Sequence, residues 1–135
     1  MTESKAFIDS TVLIYLLSAN DSKADKAEII LRMGGFISVQ VLNEIANVAV
    51  RKLGMSWDEI NEVLTLIRML CPVEPLTVET HDKGRLIAER YGLSVYNAMI
   101  VAAALISGCD TLYSEDMQDG FLIDNQLRIC NPFEQ

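Results

Sequence analysis

Residues 5–18 read Lys5-Ala-Phe-Ile-Asp-Ser-Thr-Val-Leu-Ile-Tyr-Leu-Leu-Ser18, and this stretch decides the fold class. Lys5 to Ile8 predicts a short buried strand, Asp9 closes it, and a helix follows from about Thr11 to Ser18. Strand, acid and helix in direct succession are the opening of an α/β unit. In such folds, polar residues at the carboxyl ends of strands converge on one crevice.

The same alternation continues outward from this stretch. A helix is predicted from about Ser22 to Met33, stopped by Gly34 and Gly35, with a strand at Phe36 to Ser38. Val39 to Leu53 reads as a helix with Val41, Ile45 and Val48 as its core stripe, ended by Gly54. Ser56 and Glu59 form a capping-box pair that opens a helix to about Leu70. Cys71 to Leu76 reads as a proline-limited edge strand, and Val78 to Tyr91 as a helix ended by Gly92. Ser94 caps a helix over Val95 to Ser107 that is apolar on most faces, so it belongs against the sheet. Strands at Thr111 to Ser114 and Leu127 to Cys130 complete a pattern that predicts one α/β domain over residues 1–135, a parallel central sheet with helices on both faces.

Half of the 135 residues are hydrophobic and 22% are charged, the balance of a globular chain with a proper core. The apolar stretch Phe7 to Leu17 is interrupted by Asp9 and lacks a basic leader, and Ala98 to Ser107 is shorter than the ~20 residues of a membrane span. A cytoplasmic protein with no membrane partner is the expectation. Cys71, Cys109 and Cys130 have no CxxC spacing and His81 is the sole histidine, which argues against structural zinc and against a disulfide scaffold. The cysteines read as small buried hydrophobes, and His81 as a surface helix residue. A net charge of −8 opposes tight binding of nucleic acid by bulk electrostatics, although Arg51 with Lys52, and Lys83 with Arg85, are local basic patches.

Four positions carry the candidate chemistry: Asp9, Glu44, Asn97 and Asp116. Asp9 and Asp116 each follow a predicted strand, and Glu44 flanks the core stripe of its helix. Arg51 lies seven residues on, ~10.5 Å along the same face, within reach of a phosphate near a cation held by Glu44. Asn97 is the third residue of the helix capped by Ser94, on the apolar face continued by Ile100, Val101 and Ala104. Each has an ordinary reading too: a turn aspartate, a solvated helix glutamate, a helix-start hydrogen bonder, and a loop acid beside Glu115 and Asp119. Their joint placement points instead to a hard divalent cation on oxygen ligands and to metal-assisted phosphodiester hydrolysis, which needs no histidine. An aspartyl-phosphate module is a weak rival, because Thr11 stands where a second aspartate is needed.

Phe7-Ile-Asp-Ser-Thr-Val-Leu-Ile-Tyr15 resembles the opening of PIN-domain ribonucleases, and Ser38-Val-Gln-Val-Leu-Asn-Glu-Ile-Ala-Asn-Val48 is similar to their glutamate helix. Tyr91-Gly-Leu-Ser-Val-Tyr-Asn-Ala-Met-Ile-Val-Ala-Ala-Ala104 resembles their third acidic motif, and Cys109-Asp-Thr-Leu-Tyr-Ser-Glu-Asp-Met-Gln-Asp-Gly120 their fourth. The resemblance spans nearly the whole chain, down to Asn131-Pro132-Phe133, and is strongest to VapC-type toxins of toxin–antitoxin pairs. It implies a three-layer PIN-like fold and a Mg²⁺- or Mn²⁺-dependent endoribonuclease acting on structured RNA such as tRNA or rRNA. It further implies an antitoxin partner and a toxin homodimer. Asp9, Glu44 and Asp116 would then be acidic metal-site residues, with Ser114 a supporting hydroxyl. Asn97 stands where the family places an aspartate, which implies an intact fold with weakened or absent catalysis. A substitution introduced to silence a toxic enzyme fits this, and so does a natural binding module that never cuts.

Overall fold

The computed structural model describes residues 4–134. Its elements are β1 (Ala6–Ile8), α1 (Ser10–Leu13), a 3₁₀ segment (Ile14–Leu17), α2 (Asp21–Arg32), β2 (Ile37–Ser38), α3 (Val39–Arg51) and α4 (Trp57–Leu70). There follow β3 (Val73–Glu74), α5 (Val78–Tyr91), α6 (Val95–Ile106), β4 (Thr111–Tyr113), β5 (Leu122–Ile123) and β6 (Leu127–Cys130). Among the described residues two sheets are formed, β1-β4-β6-β5 and β2-β3, with only the β5–β6 pair antiparallel. A parallel bridge between Phe7 and Phe36 joins them: the Ile8 N–H donates to the Phe36 carbonyl at 2.9 Å, and the Phe36 N–H to that of Ala6 at 2.8 Å.

Consecutive strand residues face opposite sides of a sheet. Phe7 and Ile8 are both fully buried, so β1 is covered on both faces, as the apolar run and parallel pairing require. The register places Ile8 beside Tyr113 and Tyr113 beside Cys130. Asp9 and Ser114 therefore leave the same edge of the sheet on neighbouring strands.

The helix signals act locally as read. Ser56 and Glu59 exchange both bonds of a capping box, Ser94 accepts from the Asn97 N–H, and Gly92 ends α5 in the left-handed conformation at φ 69°. Thr77 and Thr80 form a second capping box. Cys71 and Cys109 are buried, and burial pushes both thiols up to about 11. Cys130 is half-buried, and His81 is exposed on α5, as expected. No helix among the described residues is long and apolar enough to cross a membrane.

Three details differ from the sequence reading. The predicted helix from Thr11 tightens into a 3₁₀ segment after Leu13. The buried stripe of α3 is Val41, Ile45 and Ala49, with Val48 half-buried, so the inner face is set by what packs on α3 and not by the 3.6-residue period alone. β5 was not foreseen. Two residues are too few for a period-2 pattern, and β5 forms only because Asp124 and Asn125 adopt φ values of 51° and 55° in the turn to β6. Tyr91 pins that turn: its hydroxyl donates to Asp124 Oδ1 at 2.6 Å and accepts from the Asp124 N–H at 2.9 Å.

Gly35 packs tightly against β1. A Cβ there would lie 2.9 Å from Ile8 Cδ1 and Cγ1 and 3.1 Å from the Ala6 carbonyl oxygen. Ile8 is fully buried, so it has little room to move. Gly35→Ala is expected to lower stability by about 1–3 kcal/mol through overpacking, read as a lower midpoint in urea denaturation.

Candidate active site

Asp9 is 3% exposed, and its carboxylate is surrounded by hydroxyls. Ser114 Oγ donates to Oδ2 at 2.8 Å, Thr11 Oγ1 to the same oxygen at 3.1 Å, and Ser10 Oγ lies 3.4 Å from Oδ1. Ser10 Oγ donates to Glu44 Oε1 at 2.8 Å, so one hydroxyl stands between two carboxylates, one just past β1 and one on α3. Glu44 Oε2 receives the Gln40 amide at 3.4 Å, and that amide also donates to the Tyr96 carbonyl at 3.1 Å, tying α3 to α6.

The second half of the site hangs from Ser114. Its oxygen accepts the Asp116 N–H at 3.1 Å while its proton goes to Asp9, so the loop after β4 is fixed relative to the buried acid. Asn97 Nδ2 donates to Asp116 Oδ2 at 3.4 Å on the rim, where Asp116 is exposed and Asn97 half-buried. An aspartate at 97 would set two like charges at that separation. The amide turns the contact into a weak attraction.

All four sequence-predicted positions thus lie at one sheet edge, and the Ser114 hydroxyl joins Asp9 to the Asp116 backbone. Arg51 is placed apart: it is exposed in the last turn of α3 and hydrogen-bonds to none of the four. Ser10, Thr11 and Gln40 were not singled out from sequence, although Ser10 and Thr11 directly follow Asp9 and Gln40 precedes Glu44 by one helical turn. A further bracket lies behind the loop. Glu115 accepts from Tyr15 Oη at 2.6 Å and from Lys23 Nζ at 2.7 Å, and its N–H donates to Thr11 Oγ1 at 3.0 Å. Lys23 also lies 4.7 Å from the Tyr15 ring centroid.

Burial raises the Asp9 carboxyl above its ordinary 3.8, and the negative charge of Glu44 adds to this, against the lowering effect of the Ser114, Thr11 and Ser10 donors. A buried acid that resists ionising beside a second carboxylate makes a site that a cation would relieve. The donor set, three carboxylates, hydroxyls and an amide, is all oxygen in its anionic members and suits a hard ion. Among the described residues, however, no three His, Cys, Asp or Glu side chains stand close enough to form a ready-made metal cage. Asp9 and Glu44 are adjacent, while Asp116 is held through Ser114 and Asn97.

The PIN domain model matches residues 6–119. The chain belongs to the PIN domain family. Solved PIN structures share its fold. A toxin–antitoxin complex from Klebsiella pneumoniae superposes with a TM-score of 0.72 at 17% identity, covering 95% of this chain and 98% of that one. The Sarcin-Ricin loop cleaving toxin VapC20 of Mycobacterium tuberculosis gives 0.67 at 19% identity, covering 83% and 90%. DNA-bound VapBC from Salmonella typhimurium gives 0.68 at 17% identity, covering 94% and 97%. No curated protein matches the sequence.

A raised carboxyl pKa in the folded state means that the fold holds more protons than the unfolded chain above pH 3.8, so Asp9 costs stability as pH rises from there through its folded value. Asp9→Asn removes that cost, and its amide can donate to Ser10, which donates onward to Glu44. In metal-free buffer the variant is expected to be the more stable at pH 7, with the difference shrinking towards pH 4 in parallel urea titrations.

Proposed function

We propose that this PIN protein is a VapC-type toxin scaffold, a divalent-metal-dependent endoribonuclease weakened by Asn97. The observation that carries the reading is the continuous network Glu44–Ser10–Asp9–Ser114–Asp116 at the carboxyl edge of a parallel sheet. Asp9, Glu44 and Asp116 would hold Mg²⁺ or Mn²⁺, an ion that supplies Lewis-acid charge and an activated water for phosphodiester hydrolysis. Ser10 and Ser114 keep the carboxylates at fixed separations. Burial of Asp9 excludes competing water from its two oxygens. Tyr15 and Lys23 hold Glu115, and so the backbone that presents Asp116.

Family membership and the fold shared with toxin–antitoxin complexes from Klebsiella pneumoniae and Salmonella typhimurium support an antitoxin partner. The fold shared with a toxin that cleaves the Sarcin-Ricin loop supports structured RNA, rRNA or tRNA, as substrate. A toxin homodimer is the assembly we infer. With a net charge of −8, the protein would hold RNA through its cations and a few basic residues, and a basic antitoxin segment would complement the anionic edge.

One observation favours a second reading, a PIN module that binds partners without cutting. The Asn97–Asp116 contact is satisfied without a cation, which an aspartate at 97 would not be. A unit charge pair at 4 Å is worth ~4 kcal/mol at an effective dielectric of ~20, and even a fraction of that is ten- to hundredfold in affinity or rate.

The reversion separates the readings. Asn97→Asp is expected to raise Mg²⁺ or Mn²⁺ affinity by about ten- to hundredfold, measured by calorimetry, and to raise metal-dependent cleavage of an RNA pool by a similar factor. Tighter metal binding with no cleavage from the reverted protein would favour the non-cutting module. Metal-independent cleavage would defeat the proposal.

A further inference from the structure

A cavity of about 460 Å³ opens directly beside Glu44, between α3 and α6. Its α3 wall is Gln40, Asn43, Glu44 and Asn47, spaced as one helical face about 10.5 Å long. Gln40 is bound to Glu44 and to the Tyr96 carbonyl. The Asn43 and Asn47 carboxamides are exposed and have no hydrogen-bond partner among the described residues. Across from them stand Tyr96, 72% exposed, and Leu76, 46% exposed, above a floor made by Met99. Met99 packs against α5 there: a Cβ on Gly84 would collide with its sulfur, so the glycine makes the room.

An aromatic ring, free carboxamides and an apolar floor are the groups that receive an unstacked nucleobase. Rings stack on the base face, and Asn reads its hydrogen-bonding edge. Charge supports this occupant. The lining holds one acid, Glu44, and one imidazole, His81, but no Lys or Arg, so a neutral ring fits where a polyanionic backbone does not. We propose that this cavity is a base-binding pocket that seats an unpaired nucleobase next to the phosphate bound at the Glu44 edge, with Tyr96 as stacking platform and Asn43 and Asn47 as readers. The proposal rests on the nuclease reading above and adds where sequence preference would arise. It also answers the chain's acidity, since stacking and amide contacts need no positive surface.

The test uses the full chain and fluorescein-labelled single-stranded RNA, read by anisotropy in Mg²⁺ buffer. One probe series carries each base in turn, and a matched probe has abasic ribose at the same positions. Tyr96→Ala is expected to weaken binding of base-bearing RNA about tenfold and to leave the abasic probe unchanged. Asn43→Ala combined with Asn47→Ala is expected to level the differences among the four bases. Both changes are on exposed side chains, and circular dichroism verifies the fold. Equal loss on base-bearing and abasic probes, or no loss on either, overturns the pocket while RNA binding persists. Sedimentation velocity adds a separate outcome: a dimer that falls to monomer in Tyr96→Ala with RNA affinity unchanged makes this face a contact between copies and overturns the proposal. Absence of RNA binding by both the unaltered chain and Asn97→Asp would defeat the nuclease reading and the pocket together.

Discussion

The site depends on keeping the Asp9 carboxylate out of water at the end of β1. An unpaired charge is costly to bury, and the chain offsets the cost with three hydroxyls and backbone geometry. Those same hydroxyls reach outward. Ser10 ends on Glu44, Ser114 on the Asp116 backbone, and Thr11 on the Glu115 backbone. Satisfying one buried charge therefore positions the other acids. The parallel pairing of β1 with β4 makes this possible, because it brings Asp9 and Ser114 out side by side.

Asn97 gains its meaning from the same arrangement. At the rim it meets Asp116, not Asp9, so its amide alters the exposed half of the site and leaves the buried half intact. A neutral group at that point lessens the repulsion that a cation would otherwise relieve. The fold can persist while the repulsion at the rim falls. The neighbouring residue, Tyr96, turns outward to the cavity beside Glu44, so successive positions on α6 serve the acid edge and the cavity wall.

Much of the fold was legible because its signals are local. Capping residues at Ser56 and Ser94, the glycine after Tyr91 and the apolar run of α6 each act within a few residues. Less legible were the features set by partners distant in sequence. The 3₁₀ tightening after Leu13 and the shift of the α3 stripe to Ala49 have no unambiguous local mark. β5 exists through its pairing with β6 and the Tyr91 contact to Asp124. Arg51 shares a helix with Glu44 but not its surroundings, since two turns of helix carry it out to solvent.

The sequence by itself determined the α/β order, the placement of Asp9 and Asp116 after strands, and the amide at position 97. Those follow from periodicity, caps and residue identity. Only the tertiary structure decided that Ser10 links Asp9 to Glu44, that Ser114 links Asp9 to Asp116, and that Asn97 answers Asp116. Hydrogen bonds of 2.8–3.4 Å between residues up to 105 positions apart depend on strand register and helix packing. No local pattern specifies either one.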